Sequence, residues 1–178
     1  MAVLQTIRNF LGSTPSIVEP EAIVPALPTT YTIRPLTRDH LPEVLRLNLR
    51  CFRNGENYTK HTFAYLFNAP NILSYRAATP TDETVGFVFV MMNENGSGHL
   101  TTIGVAPEHR RRRVGEMLLG HAEEALKKRE ATTVVLEVRV GNFGAQEMYR
   151  MFGYSVVQRI ENYYTNNEAC YLMMKSLV

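Results

Sequence analysis

Apolar and polar positions along residues 31–178 predict an alternation of helices and strands. Apolar residues recur every three or four positions in predicted helices, and at alternate positions or in short unbroken runs in predicted strands. The predicted helices run from a cap at Thr37 or Asp39 to about Cys51, and over about 59–67, 113–129 and 145–151. The predicted strands cover about 31–36, 72–77, 84–92, 99–105, 133–140, 154–160 and 169–175. Strands and helices alternate through the middle of the chain, whereas the strands at its start and finish are predicted to be antiparallel.

Residues 1–30 have a different pattern and form a predicted N-terminal arm outside the domain at 31–178. Apolar residues at helical spacing predict a short amphipathic helix over 3–11, and prolines at 15, 20, 25 and 28 exclude a helix after it. The arm either packs on the domain or is disordered, or it docks an auxiliary partner or a membrane surface. Arg8 is the only basic residue of the helix, which argues against the membrane.

Composition narrows the class of protein. A chain of 178 residues with 45% apolar content fits one globular domain, and a net charge of +2 does not favour a nucleic-acid partner. Cys51 and Cys170 lie far apart in the sequence, which argues against a disulfide framework or a metal site. No apolar run reaches the roughly 20 residues of a membrane span, and no signal peptide is recognisable. We therefore expect a cytoplasmic protein without a membrane partner.

Four consecutive arginines, Arg110 to Arg113, stand where the helix at 113–129 begins. The N-terminus of a helix carries a partial positive charge, so cations there are unfavourable unless an anion lies nearby. A bound polyphosphate would reverse this, because the free backbone N–H groups and the arginines would both contact it. From charge alone, a solvated basic patch is the preferred explanation of the run.

The surroundings of the arginine run resemble the acetyl-CoA signature of the GNAT acetyltransferase superfamily. A strand, a Val-x-Pro sequence at 105–107, the basic turn and a Leu-Leu helix follow one another. The family pattern, Gln or Arg, two residues, Gly, one residue, then Gly or Ala, places Arg110 first, Arg113 at the first glycine and Gly115 last. The Arg113 side chain either weakens pyrophosphate binding or changes the conformation of this turn, or it points outward as a further phosphate ligand. The resemblance implies acetyl-CoA as co-substrate, bound by Ile103, Gly104, Val105, Arg110, Arg111, Arg112, Arg113, Val114, Gly115, Asn142 and Tyr149.

The strand at 133–140 carries Glu137 and Arg139 on one face, where they could pair with each other or face solvent. However, Leu-Glu-Val-Arg-Val-x-Asn followed by Met-Tyr-x-x-Phe-Gly-Tyr resembles RimI-type and archaeal N-terminal acetyltransferases. The resemblance implies that Glu137 is a general base and that Tyr149 donates a proton to the departing CoA thiolate. Asn142 matches a family residue near the cofactor, and it is also a suitable N-cap for the next helix.

Two segments resemble the peptide-binding parts of archaeal N-terminal acetyltransferases and of the eukaryotic NatA catalytic subunit. In the first, Glu56 would lie by the first peptide residue, and Asn57 and Tyr58 would line the pocket. Extra residues at 53–55 distinguish this loop from the family. In the second, Tyr163 and Tyr164 match paired tyrosines that hold the peptide backbone. Alternatively, they are aromatics at a strand end that pack on a loop, and Asn167 and Ala169 depart from the family residues.

The resemblance covers about residues 31–178 and implies an α/β GNAT fold. This fold is a mixed twisted sheet of about seven strands with a central splay, flanked by about four helices. It also implies direct attack of an amine on the thioester, with protein or peptide N-termini, ribosomal proteins among them, as substrates. About 10–15% of an N-terminal amine is neutral at pH 7, against about 0.04% of a lysine amine, so modest base assistance suffices. The alternatives are a small-molecule amine as substrate, or a CoA-binding or ribosome-docking module without catalysis. We expect no metal, because His61, His99, His109 and His121 are unclustered in the sequence, and no nucleophilic role for Cys51.

Overall fold

A seven-stranded sheet forms the centre of the protein in the computed structural model, which describes residues 23–52 and 57–178. The spatial order is β1-β2-β3-β4-β5-β7-β6, and each neighbouring pair is antiparallel except β4 and β5. The parallel pair arises because a helix crosses over between its two strands. The strands are β1 (Thr32–Pro35), β2 (Ile72–Ala78), β3 (Thr84–Met92), β4 (Ser97–Val105), β5 (Thr133–Arg139), β6 (Ser155–Ile160) and β7 (Cys170–Ser176).

In the described residues, four α-helices accompany the sheet: α1 (Leu41–Cys51), α2 (Lys60–Asn68), α3 (Val114–Lys127) and α4 (Phe143–Met151). Local chemistry sets several of their ends. Thr59 Oγ1 accepts a hydrogen bond from the Thr62 N–H at 3.1 Å and caps α2. Gly153, with φ of 89°, follows α4 in the left-handed conformation that ends many helices. The predicted mixed sheet of seven strands with four helices is confirmed, and the predicted bounds agree to within about two residues apart from the start of α1.

Helices cover both faces of the central strands. A Cβ built on Gly86 of β3 would lie 3.0 Å from Leu118 of α3, so this position faces α3. The next residue, Phe87, points to the opposite face, because side chains alternate along a strand. There a Cβ on Gly104 of β4 would meet both Phe87, at 2.9 Å, and Cys51 of α1, at 3.3 Å. Burial on both faces explains why β3 is almost continuously apolar.

β4 and β5 pair only over their first halves, where Ser97 to Leu100 lie opposite Thr133 to Leu136. The separation coincides with an irregularity on the other side of β4. There Phe89 of β3 pairs with Thr102 while Val90 pairs with Leu100, so Thr101 has no partner in this ladder. Such a β-bulge bends and twists the strand that carries it. The bulge therefore accounts for the way β4 turns away from β5 and opens a gap in the sheet.

Within the described ranges, no helix combines the length and hydropathy needed to cross a bilayer. The same residues hold no group of three or more His, Cys, Asp and Glu side chains arranged to bind a metal ion. The amphipathic helix predicted for 3–11 lies outside the described residues, and so does Glu56.

Candidate active site

A cavity of about 570 Å³ lies in the gap between β4 and β5. One wall consists of Ile103, Gly104 and Val105, and the other of Glu137, Val138 and Arg139. Because the two strands no longer pair here, the gap offers strand backbone to an extended ligand. A Cβ on Gly104 would press on the Phe87 ring, so packing explains the glycine at this position.

The arginine-rich turn closes one end of the cavity. Arg110 Nε donates to the Val105 carbonyl at 3.1 Å, and its Nη2 donates to the Cys51 carbonyl at 3.3 Å. Arg110, Arg111 and Arg113 all line the cavity, as do Val114 and Gly115 at the start of α3. A Cβ on Gly115 would lie 3.1 Å from Met148 Sδ, which explains the small residue at this position.

Arg113, at the family's first glycine, keeps a glycine-like backbone. Its φ of 63° and ψ of 9° are left-handed, and its side chain is 83% exposed, with Nε 2.9 Å from Glu116 Oε2. The side chain therefore points outward, and its role as a phosphate ligand stays a prediction. Arg113 also precedes α3 without a side-chain cap, so the first N–H groups of the helix have no capping oxygen. An anionic group such as a pyrophosphate fits this end of the cavity.

The Arg112 side chain is not brought to the cavity with its neighbours. Its Nη1 donates to the Leu27 carbonyl at 2.8 Å, and Nη2 donates to the carbonyl of Ala26. Both acceptors belong to the N-terminal arm. The four arginines predicted to bind the cofactor thus separate into three that line the cavity and one that contacts the arm.

Glu137 lies in the gap with one carboxylate oxygen held and one free. Its side chain is 8% exposed, and Oε2 lies 2.8 Å from Nε2 of the buried His99. Within residues 23–52 and 57–178, Oε1 is buried and accepts no hydrogen bond. A buried carboxylate oxygen without a donor is poised to receive one from a ligand or a water. Glu137 therefore pairs with neither Arg139 nor bulk solvent.

His99 was not identified as a site residue from the sequence. It lies on β4 opposite Val135, two residues before Glu137, so the parallel register brings the His99 and Glu137 side chains together. The available signal was a histidine at the start of a predicted strand. The register that pairs it with Glu137 is a tertiary feature.

Tyr149 and Asn142 border the cavity from the side of α4. Tyr149 is 4% exposed, and burial raises its pKa above the usual value near 10. The phenol therefore remains protonated at neutral pH and can act as a proton donor. Asn142 Oδ1 accepts the Ala145 N–H at 3.2 Å, which confirms the N-cap expected from its position.

Cys51 also lines the cavity, but its surroundings do not suit a nucleophile. Burial raises the pKa of its thiol to about 11, so almost none of it is thiolate at neutral pH. Its Sγ contacts the Val105 carbonyl at 3.2 Å. This environment agrees with the expectation that Cys51 has no covalent role.

Aromatic residues form the opposite end of the cavity. The Tyr58 hydroxyl donates to the Thr101 carbonyl at 3.0 Å, so it rests on the bulge of β4. Tyr163 and Tyr164 line the cavity from the loop between β6 and β7, beyond the strand end predicted to carry them. Asn57, the residue before Tyr58, is half-buried. It is not among the described residues that line the cavity, where the sequence predicted it.

Glu168 ties this tyrosine loop to the rest of the site and was not singled out from the sequence. Its carbonyl accepts the N–H groups of Tyr163 and Tyr164, each at 3.1 Å. Its carboxylate accepts the Gly141 N–H at 2.9 Å and pairs with Arg139, whose guanidinium stacks 3.8 Å from the centre of the Tyr164 ring. One residue thus connects the loop to the end of β5.

We expect Glu168→Gln to lower the melting temperature by about 2–4 °C at pH 7. The Gly141 N–H and the Arg139 guanidinium lower the pKa of Glu168 below its usual value. A lowered folded-state pKa stabilises the protein above the unfolded value and loses this effect as the pH falls through the folded value. Thermal unfolding should thus show a constant gap to wild type at pH 5–8 that narrows below about pH 4.

Glu161→Gln is the matched control for Glu168→Gln, because Glu161 is in the same loop but pairs with Arg159 at the exposed surface. We expect no measurable change for this variant. A gap of equal size in both variants would show that Glu168 is no more than a surface ion pair.

Comparison with known proteins identifies the family. Residues 41–154 match the model of the Acetyltransferase (GNAT) family. The chain is 30% identical over 159 residues to an N-alpha-acetyltransferase of Sulfolobus acidocaldarius, covering 83% of this chain and 93% of the relative. It is 32% identical over 151 residues to the N-terminal acetyltransferase A complex catalytic subunit NAA10 of Arabidopsis thaliana, covering 82% and 77%.

A solved structure agrees with these relatives. The ribosomal-protein-S18-alanine N-acetyltransferase from Escherichia coli superposes with a TM-score of 0.76 at 25% identity, covering 83% of this chain and 94% of that one. Common ancestry with these proteins explains both the splayed sheet and the resemblance noted in the sequence. The chain belongs to the GNAT acetyltransferase family.

Proposed function

We propose that the protein transfers the acetyl group of acetyl-CoA to the N-terminal α-amine of a protein or peptide. One observation carries the proposal: the free and buried Oε1 of Glu137 lies in the strand gap, in the same cavity as Tyr149 and the three tyrosines at its far end. The relatives support the choice of substrate, since those compared above are named as N-terminal or N-alpha-acetyltransferases or as an enzyme acting on ribosomal protein S18.

Acetyl-CoA supplies the acetyl group as an activated thioester. The residues that would hold it are Ile103, Gly104 and Val105 along the gap, and Arg110, Arg111, Arg113, Val114 and Gly115 at the turn. This assignment is supported by the unpaired half of β4, by the three arginines and by the uncapped start of α3. Asn142 would line the same channel from α4.

In the proposed reaction, Glu137 Oε1 takes a proton from the attacking amine, directly or through one water. The new C–N bond forms as the C–S bond breaks, and the Tyr149 hydroxyl gives a proton to the departing sulfur. His99 keeps Glu137 oriented by bonding its other oxygen. Because a useful fraction of an N-terminal amine is already neutral at pH 7, one carboxylate is an adequate base.

The peptide would enter between Tyr58 and the loop that carries Tyr163 and Tyr164. Hydroxyl groups at the mouth of a narrow cavity can hold an extended backbone, and their rings exclude bulky side chains. The place of Glu56 beside the first peptide residue rests on the sequence resemblance alone. Both cysteines of the chain are free thiols, which supports a reducing cytoplasm as the place of the reaction.

The test is thiol release from acetyl-CoA with peptides that differ only in their first residue, Ser, Ala, Met, Glu or Lys. Each peptide carries an internal lysine and has an N-terminally blocked twin, so acetylation of the α-amine and of the lysine are distinguished. We expect release only with free N-termini, and a ribosomal-protein N-terminal peptide belongs in the panel. Release with spermidine but with no peptide would replace the proposal by a small-amine acetyltransferase.

A further inference from the structure

Arg112 joins the N-terminal arm to the arginine-rich turn. Besides its bonds to the carbonyls of Ala26 and Leu27, its Nη1 lies 3.4 Å from the Tyr31 hydroxyl. That hydroxyl is 3.0 Å from Nδ1 of His109, which is buried just before the turn. The Ala26 N–H donates to the Glu108 carbonyl at 3.0 Å. The arm thus contacts the turn and the residues that lead into it, and we call this set of contacts the arm clamp.

The turn needs such a restraint because of its backbone. Arg111 and Arg113, on either side of Arg112, have φ values of 59° and 63°. Residues with a Cβ disfavour the left-handed region, so a turn with two such arginines relaxes readily unless other contacts hold it. Arg112 is the residue between them, and its planar guanidinium bonds two carbonyls at once. Its hydrogen bonds to the arm therefore restrain the backbone of both Arg111 and Arg113.

The arm is suited to serve as the fixed side of the clamp. Pro25 and Pro28 flank the two bonded carbonyls, and a proline restricts both its own φ and the conformation of the preceding residue. Val24 and Leu27 are 76% and 86% exposed, so burial of these side chains adds little to the attachment. Among the described residues, hydrogen bonds to the backbone of this proline-flanked segment make the contact.

We propose that Arg112 is a positioning residue, and that the arm clamp sets the affinity for CoA by holding the turn that Arg110, Arg111 and Arg113 share. The inference rests on the proposed function for the identity of the ligand. It departs from the expectation that the Arg112 side chain itself binds the cofactor. Ala26 and Leu27 would then contribute to the cofactor site, although they are not among the residues that line the cavity.

Calorimetric titration of CoA into the full-length protein tests the arm clamp. We expect Arg112→Gln to raise the Kd roughly tenfold and Arg112→Lys, which can still bond one carbonyl, to recover part of the loss. The double variant Pro25→Gly/Pro28→Gly loosens the arm without changing charge, and we expect a Kd about fivefold above wild type. In each variant, the KM for acetyl-CoA should rise by the same factor as the Kd, with kcat within about twofold.

The control is Arg159→Gln, which removes the same charge from exposed strand β6 and should bind CoA like wild type. Weak binding by Arg112→Gln with wild-type binding by the proline variant would show that Arg112 acts through its charge alone, and would reject the clamp. If Arg112→Gln does not fold, the proline variant and Tyr31→Phe decide the question, and wild-type affinity in both rejects the clamp. Absence of CoA binding by the wild-type protein would instead overturn the proposed function.

Discussion

Glu137→Gln should lower kcat about 100-fold while leaving the Kd for CoA unchanged. Glutamine has nearly the same shape and can still accept the hydrogen bond from His99, so the fold of the site is kept. It cannot take up a proton, however, and this is the role proposed for the buried Oε1. Thiol release at saturating acetyl-CoA and peptide measures kcat, and calorimetry measures CoA binding.

The protein contains a matched control for this variant. Glu123 on α3 is as buried as Glu137, with side chains 7% and 8% exposed, and pairs with Lys175 at 2.5 Å, outside the cavity. Glu123→Gln should lower stability, since it weakens a buried ion pair, but should keep kcat. If Glu137→Gln retained more than about a third of the wild-type kcat, proton removal by this carboxylate would have to be abandoned.

Tyr149→Phe should also reduce kcat by about 100-fold, with little change in the KM for acetyl-CoA or in the KM for the peptide. The pKa of Tyr149 is raised by burial, so the hydroxyl is a protonated donor across the working pH range. Its loss leaves the departing thiolate to be protonated by water. A thiol with a pKa near 8.5 is a fair leaving group, which is why we expect a partial rather than complete loss.

Tyr154→Phe is the control for Tyr149→Phe. The two rings touch, with centroids 5.7 Å apart, and they are 2% and 4% exposed, but Tyr154 does not line the cavity. Removing its hydroxyl should leave kcat within about twofold of wild type. Equal losses in the two variants would mean that the packing of this aromatic pair matters and that no proton passes from Tyr149.

Features that depend on neighbours in the chain were predictable. Apolar periodicity located the four helices and seven strands of residues 23–52 and 57–178, because each element must present an apolar face to the core. Asn142 was correctly predicted to be a suitable N-cap for α4, since N-capping depends on the side chain of a single residue. The resemblance to a known family supplied the roles of Glu137 and Tyr149, which remain predictions until the variants are measured.

Features that depend on contacts between distant segments were not predictable. His99 meets Glu137 because two strands pair in parallel across a helical crossover, and strand register is not written in either strand alone. The bulge at Thr101 that opens the sheet is likewise a property of the β3–β4 ladder.

The arginine-rich turn shows where the two kinds of information separate. The sequence alone determined that four positive charges precede a helix, because charge and helix periodicity are local properties. Only the tertiary structure decided that Arg112 turns to the arm while Arg110, Arg111 and Arg113 line the cavity. The direction of a long side chain depends on the acceptors that folding brings within reach, and those at Ala26 and Leu27 lie more than 80 residues away in the chain.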